Sequence, residues 1–104
     1  MTSSVSSIGS VIPTLASALQ GFGTQAATAA NNIANVDSTG YKALRADAVS
    51  TAPGMRVVVQ PTAQDVDLGS QLIDLATASA SYKAVVGAMG SIVRTEKHAL
   101  DVIG

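Results

Sequence analysis

Apolar residues recur every three or four positions in two long stretches of the chain, one on each side of its middle. Steps of three and four place side chains on one stripe of a helix, so the pattern predicts helices at 11–36 and 66–102. The first stripe consists of Ile12, Leu15, Leu19, Phe22, Ala26, Ala29 and Ile33. The second stripe consists of Leu68, Leu72, Leu75, Ser79, Tyr82, Val86, Met89, Val93, Glu96, Leu100 and Ile103.

Two long helices joined by a short connection can pair antiparallel and bury their apolar stripes against each other. Because Ser79 and Glu96 interrupt the second stripe, we expect a coiled-coil-like pair rather than an ideal zipper, with other faces left available. The residues predicted to pack between the helices are Leu15, Leu19, Phe22 and Ile33 on the first and Leu72, Leu75, Tyr82, Val86 and Met89 on the second.

The segment between the helices, at 41–61, has a loosely alternating pattern and ends in a strongly β-forming run, Met55–Val59. Pro53 and Gly54 in its middle are typical of a turn. We predict a short β-hairpin here, with an irregular extended arm as the alternative. The predicted fold is therefore mainly α, with two long N- and C-terminal helices that pair antiparallel as a hairpin and are joined by this arm.

A chain of 104 residues suggests one domain, and we expect a flexible segment at 1–10 followed by a single core domain at 11–104. Hydrophobic residues make up 47%, but many are alanine and only 3% are aromatic, so an isolated chain would have a thin core. No charged residue occurs between Met1 and Val36. Because exposed helices usually carry charge, we expect the first helix to be surrounded by protein; a small, charge-poor exposed helix is the alternative.

Charge and residue usage exclude several functional classes. The net charge is -1 with six Lys and Arg, which speaks against nucleic-acid binding, and the absence of cysteine excludes disulfides and thiolate chemistry. No apolar run is long enough to predict membrane insertion, and the N-terminal segment lacks the basic region of a signal peptide.

The sequence contains no recognisable set of catalytic or metal-binding residues. His98 has no second metal-binding partner of the histidine or cysteine type, and helix capping explains Asp65 and Asp67 without a cation. We therefore predict no catalytic, cofactor-binding or metal-binding residues. An enzyme is the least favoured of the three functional hypotheses that the sequence suggests, after a structural subunit and a helical adaptor.

The first predicted helix ends in a stretch with a high density of asparagine, which includes Asn31, Asn32 and Asn35 and is followed by Gly40. Asparagine side chains compete for backbone hydrogen bonds, and glycine tolerates the left-handed conformation that commonly ends a helix. The stretch predicts a helix exit into a tight turn. Tyr41, which comes next together with Lys42, is either a subunit contact or a lid over the helix end.

The segment from Ala30 to Lys42, Ala-Asn-Asn-Ile-Ala-Asn-Val-Asp-Ser-Thr-Gly-Tyr-Lys, resembles the motif that follows the first helix of bacterial flagellar rod and hook proteins. The second helix, from Val66 to Tyr82, resembles the C-terminal region of that family more loosely. The resemblance implies that the terminal helices form a core domain and that subunits stack helically around a channel. It also implies that residues 31, 32, 35 and 40–42 form a turn-and-contact element.

The same resemblance implies partners and a location. The expected partners are other flagellar rod or axial subunits, copies of the chain itself and the flagellar type III export apparatus, and the expected place is the periplasmic rod of the basal body, reached without a cleavable signal peptide. The connection between residues 42 and 66 is too short for the outer domains of hook proteins, so a short proximal rod protein is the nearest match. The segment Ala80–Val85 departs from the family pattern, and a divergent short paralogue competes. The alternative is a cytoplasmic helical adaptor or flagellar export chaperone.

Overall fold

A computed structural model describes residues 2–52 and 54–103, with side chains described for residues 9, 11–52 and 54–102. The chain forms four elements: α1 (Thr2–Ala34), β1 (Leu44–Ser50), β2 (Met55–Pro61) and α2 (Leu68–Ile103). The mainly α fold with two long helices is confirmed, and the segment between them is a β-hairpin rather than an irregular arm. Pro53 of the predicted turn and Met1 lie outside the described residues.

Helix α1 begins at Thr2 instead of near residue 11, and it carries Pro13 in its interior. Proline lacks a backbone N–H, so the helix loses the hydrogen bond that this position would donate to the carbonyl of Gly9. The turns before Pro13 are therefore tied to the rest of α1 by fewer backbone bonds. The flexibility of residues 1–10 stays a prediction.

Helix α2 begins immediately after a capping residue, Asp67. The Oδ1 of Asp67 accepts a hydrogen bond from the backbone N–H of Ser70 at 3.2 Å, and the carbonyl of Asp67 accepts one from the N–H of Gln71 at 3.0 Å. These bonds satisfy N–H groups that the first turn of a helix otherwise leaves without partners. The predicted capping by Asp65 or Asp67 is confirmed for Asp67.

The two helices pair antiparallel. Asn32, near the end of α1, bonds to Gln71 at the start of α2, and further along the pair the ring of Tyr82 lies over Gly23. A Cβ at Gly23 would lie 3.6 Å from Cε2 of Tyr82, which is ordinary contact distance. Gly23 thus lies at a contact between the two helices.

The side of α2 that is turned toward α1 is shifted relative to its predicted apolar stripe. Its buried and half-buried positions include Gln71, Ala78, Val85 and Ile92, which precede predicted stripe residues by one position. Adjacent residues point about 100° apart on a helix, so this shift rotates the stripe away from the contact.

Because of this rotation, some of the residues predicted to pack between the helices are half-buried and others are exposed. Those on α1 are all half-buried, as are Leu75 and Met89 on α2. Leu72, Tyr82 and Val86 are 51%, 40% and 48% exposed. The chain alone leaves this side of α2 uncovered.

The hairpin lies along α1, and its strands pair antiparallel with Leu44 opposite Pro61 and Ser50 opposite Met55. Its tip is held by Ser17 of α1, whose Oγ accepts a hydrogen bond from the N–H of Met55 at 2.9 Å and donates one to the carbonyl of Met55 at 2.5 Å. The side chain of Met55 fills the notch that Gly21 leaves in the helix surface.

The core is thin, as the alanine-rich composition predicts. The buried hydrophobic residues of the described part are Ala29, Ala43 and Ala78, and the whole chain is elongated, with extents of 62 × 22 × 14 Å. Small side chains bury little apolar area, so hydrophobic stabilisation within one chain is modest.

Candidate functional site

The end of α1 unwinds through a series of local hydrogen bonds. The backbone N–H of Asn35 is shared between the carbonyls of Asn31 and Asn32, each at 3.2 Å, and the N–H of Val36 bonds to Ile33 at 3.3 Å. The side chain of Asn35 donates from Nδ2 to the carbonyl of Asn31 at 2.9 Å. The asparagines therefore occupy carbonyls that a helix end leaves free.

A tight turn follows, and Gly40 sits at the position that requires an unusual backbone. The N–H of Tyr41 bonds to the carbonyl of Ser38 at 3.1 Å, and Gly40, the third residue of that turn, has φ of 77°. In the described part of the chain no residue other than glycine has positive φ. Glycine adopts this conformation without the steric cost that a Cβ brings.

Asn32 is the centre of a buried hydrogen-bond cluster. Its Nδ2 donates to the carbonyl of Leu44 at 2.9 Å and to Oε1 of Gln71 at 3.0 Å. Its Oδ1 accepts from the N–H of Leu44 and from the hydroxyl of Tyr41, both at 2.9 Å. The side chain is 0% exposed, and these four bonds join α1, the turn, β1 and α2.

The hydroxyl of Tyr41 bonds within the chain on both sides. It donates to Oδ1 of Asn32 and accepts from Nδ2 of Asn31 at 3.0 Å. This geometry matches a lid over the end of α1. A contact role for Tyr41 toward another subunit stays a prediction.

Lys42 forms a surface ion pair with Asp65 across the base of the hairpin, with Nζ 2.6 Å from Oδ1. The hydrogen bond from Lys42, together with its positive charge, lowers the pKa of the Asp65 carboxyl below its ordinary value of 3.8. Both side chains are at least half exposed, so water screens the pair and it adds little to stability.

Backbone bonds close the base of the hairpin next to this pair. The N–H of Ala43 donates to the carbonyl of Gln64 at 2.8 Å, and the carbonyl of Ala43 accepts from the N–H and Oγ1 of Thr62 at 3.1 and 2.6 Å. The two chain ends of the arm are thereby held side by side.

The structure brings the six predicted motif residues, Asn31, Asn32, Asn35, Gly40, Tyr41 and Lys42, into one continuous element. Sequence reasoning missed Gln71 and Ser17, which supply the contacts of this region with α2 and with the hairpin tip. Gln71 lies one helical turn after Asp67 on the side of α2 that faces α1, and a polar residue in that position was the available signal.

Residues 12–42 match the family model described as flagella basal body rod protein. Over these residues the chain is similar to the flagellar basal body rod family. The matched residues contain most of α1 and the turn up to Lys42, including Asn32 and Tyr41. Leu44 and Gln71, the other two partners of Asn32, lie beyond the matched range. No match was found among curated proteins.

The matched family consists of structural proteins of the flagellar basal body rod. None of the described helices is long and apolar enough to cross a membrane. Nor do the described residues include a group of three or more histidine or acidic side chains placed to hold a metal ion.

Proposed function

We propose that this chain is a structural subunit of the proximal rod, that it assembles helically through its two terminal helices with other rod subunits or copies of itself, and that the flagellar type III apparatus exports it to the periplasm. The uncovered apolar stripe on α2 carries the proposal. A rod-building subunit needs surfaces that neighbours cover, and this chain has one that its own fold leaves open.

The stripe follows α2 for most of its length. Its most exposed large apolar members are Leu72, Val86, Val93 and Leu100, with 48 to 63% of each residue accessible. Burying a side chain of this kind contributes on the order of 1.5 to 3 kcal/mol. A contact that covers several of them would therefore add more apolar burial than the three small alanines of the core.

Neighbouring residues of α2 offer a matched pair for testing this surface. Leu72 lies on the stripe and Ile73 lies off it, and both are exposed. Replacing either one by Asp leaves the core untouched and adds the same charge near the start of α2. We expect Leu72→Asp to abolish recovery of the chain in isolated basal bodies and to impair motility, while Ile73→Asp leaves both nearly normal.

Equal behaviour of the two variants would remove the stripe as the assembly surface. A purified chain that stays folded and strictly monomeric under assembly-permitting conditions would overturn the proposed function itself. Unchanged cytoplasmic retention after the export gate is disabled would favour the adaptor or chaperone alternative.

A further inference from the structure

A groove of about 620 Å³ opens between the base of the hairpin and α2. Small residues of α1, Thr28 and Ala29, form its floor, and Asp74 and Ala78 line its α2 side. Because its floor has no bulky side chains, a backbone can approach it closely.

Several polar groups in the groove have no partner among the described residues. They are the side-chain amides of Gln25 and Gln64 and the carboxylate of Asp74. Amides of this kind can bond the N–H and carbonyl groups of a turn, and the carboxylate suits a guanidinium. The chemistry of the groove fits a turn of small residues with an arginine beside it.

The hairpin tip of this chain has those properties. Ser50, Thr51 and Ala52 are small and exposed, and Arg56 follows on β2. The guanidinium of Arg56 makes no hydrogen bond or ion pair with the part of the chain that the structure describes. Arg45, on the opposite strand, itself lines the groove, but its guanidinium is already bonded to Asp47 and Gln60.

The tip and the groove of a single chain are too far apart to meet. Gly54 packs against Thr14 and Ser17 of α1, whereas the groove floor lies at Thr28 and Ala29. At 1.5 Å per helical residue, the separation along α1 is roughly 16 to 22 Å. A second copy, displaced along the helix axis, can bring its tip to the groove.

We propose that the hairpin tip of one copy docks in the groove of the next, with Arg56 against Asp74. The two surfaces are different patches of the same chain, so the contact is heterologous and repeats without closing. The inference rests on the proposed assembly function and assigns it a second contact, separate from the α2 stripe.

Cysteine pairs test this contact in the full chain, which has no cysteine of its own. Thr77 lines the groove, so a chain carrying Thr51→Cys is mixed with one carrying Thr77→Cys under mild oxidation. We expect a disulfide-linked dimer from this pair. Ala84→Cys, at an exposed position of α2 outside the groove, is the matched control and should give about tenfold less.

Charge reversal supplies a second test of the contact. Arg56→Asp in the Thr51→Cys chain should lower the yield of dimer about tenfold, since like charges then meet, and Asp74→Arg in the partner chain should restore it. Lys83→Asp, which makes the same charge change away from both surfaces, should leave the yield unchanged.

Equal yields with the Thr77→Cys and Ala84→Cys partners, or no response to Arg56→Asp, would overturn the docking contact. If Leu72→Asp still abolished assembly in that case, the proposed function would stand without this contact. If the chain shows no association in any of these experiments, both the docking contact and the proposed assembly function are contradicted.

Discussion

The Nδ2 atom of Asn32 lies 3.0 Å from Oε1 of Gln71, and this bond ties the end of α1 to the beginning of α2. The same amide is completely buried and also bonds both backbone groups of Leu44. A single side chain thus sets where the second helix and the hairpin leave the first.

Replacing Asn32 by Ala should lower the free energy of unfolding by about 2 to 3 kcal/mol, because it leaves buried backbone groups of Leu44 without partners. Asn31→Ala is the matched control, since Asn31 is exposed and its side chain donates a single bond, to Tyr41. Asn31→Ala should lower the free energy of unfolding by about 1 kcal/mol or less. Chemical denaturation followed by circular dichroism measures both, and equal losses would contradict a central role for Asn32.

Gly40→Val should destabilise the turn by about 1 to 2 kcal/mol, the cost of placing a Cβ in the left-handed region. No atom lies within 4 Å of the added Cβ, so the loss comes from backbone strain and not from a collision. Gly87→Ala also meets no atom and lies inside α2, where it should stabilise the helix by about 1 kcal/mol. Normal assembly and motility of Gly40→Val would contradict the importance of this turn.

Gly21 and Met55 should show a coupled response. A Cβ at Gly21 would collide with Cε of Met55 and lie 3.3 Å from Cγ2 of Val57, so Gly21→Ala should cost about 1 kcal/mol despite the better helix propensity of alanine. In a Met55→Ala background the collision is gone, and the same change should stabilise by up to about 1 kcal/mol. A double-mutant cycle measures the coupling, and additive effects would show that the hairpin does not pack on this notch.

The Lys42–Asp65 pair should give a small, pH-dependent contribution. The folded-state pKa of Asp65 is lowered, so the contribution is complete above its ordinary value of 3.8 and is lost as pH falls through the lower folded pKa. The melting temperature of Asp65→Asn should therefore lie slightly below that of the wild type at neutral pH and should converge with it in acid.

Added salt should also shrink this difference, because the pair is exposed. Lys42→Met should behave like Asp65→Asn across the same pH range. A difference that persisted well below the lowered folded-state pKa of Asp65 would rule out the ion pair as its source.

Local patterns in the sequence are sufficient to predict those features of the fold that depend on neighbouring residues. The two helical periods, the cap at Asp67, the β-forming run of β2 and the glycine turn each follow from residue types a few positions apart. Gly40 is the clearest case, since the sequence predicts a tight turn at a residue that tolerates the left-handed conformation, and its φ is positive.

Features that depend on distant residues were not predictable in this way. Ser17 is 38 positions from Met55 along the chain, and a serine on a helix carries no sign of a bond to a strand. The rotation of α2 was missed because residues one position apart share a broad stripe of small and apolar side chains. Packing around Ala29 and Ala78 then decides which of them faces α1, and the apolar pattern alone does not.

The closed base of the hairpin makes the arm an exchangeable insert. Ala43 and Gln64 are held together by a backbone bond, so the chain leaves the helix pair and returns to it at one point. Any folded segment whose two ends lie equally close could replace the hairpin without changing the distance between α1 and α2. A short connection and a large outer domain are therefore compatible with the same helical framework, and the size of the subunit can change while the framework stays constant.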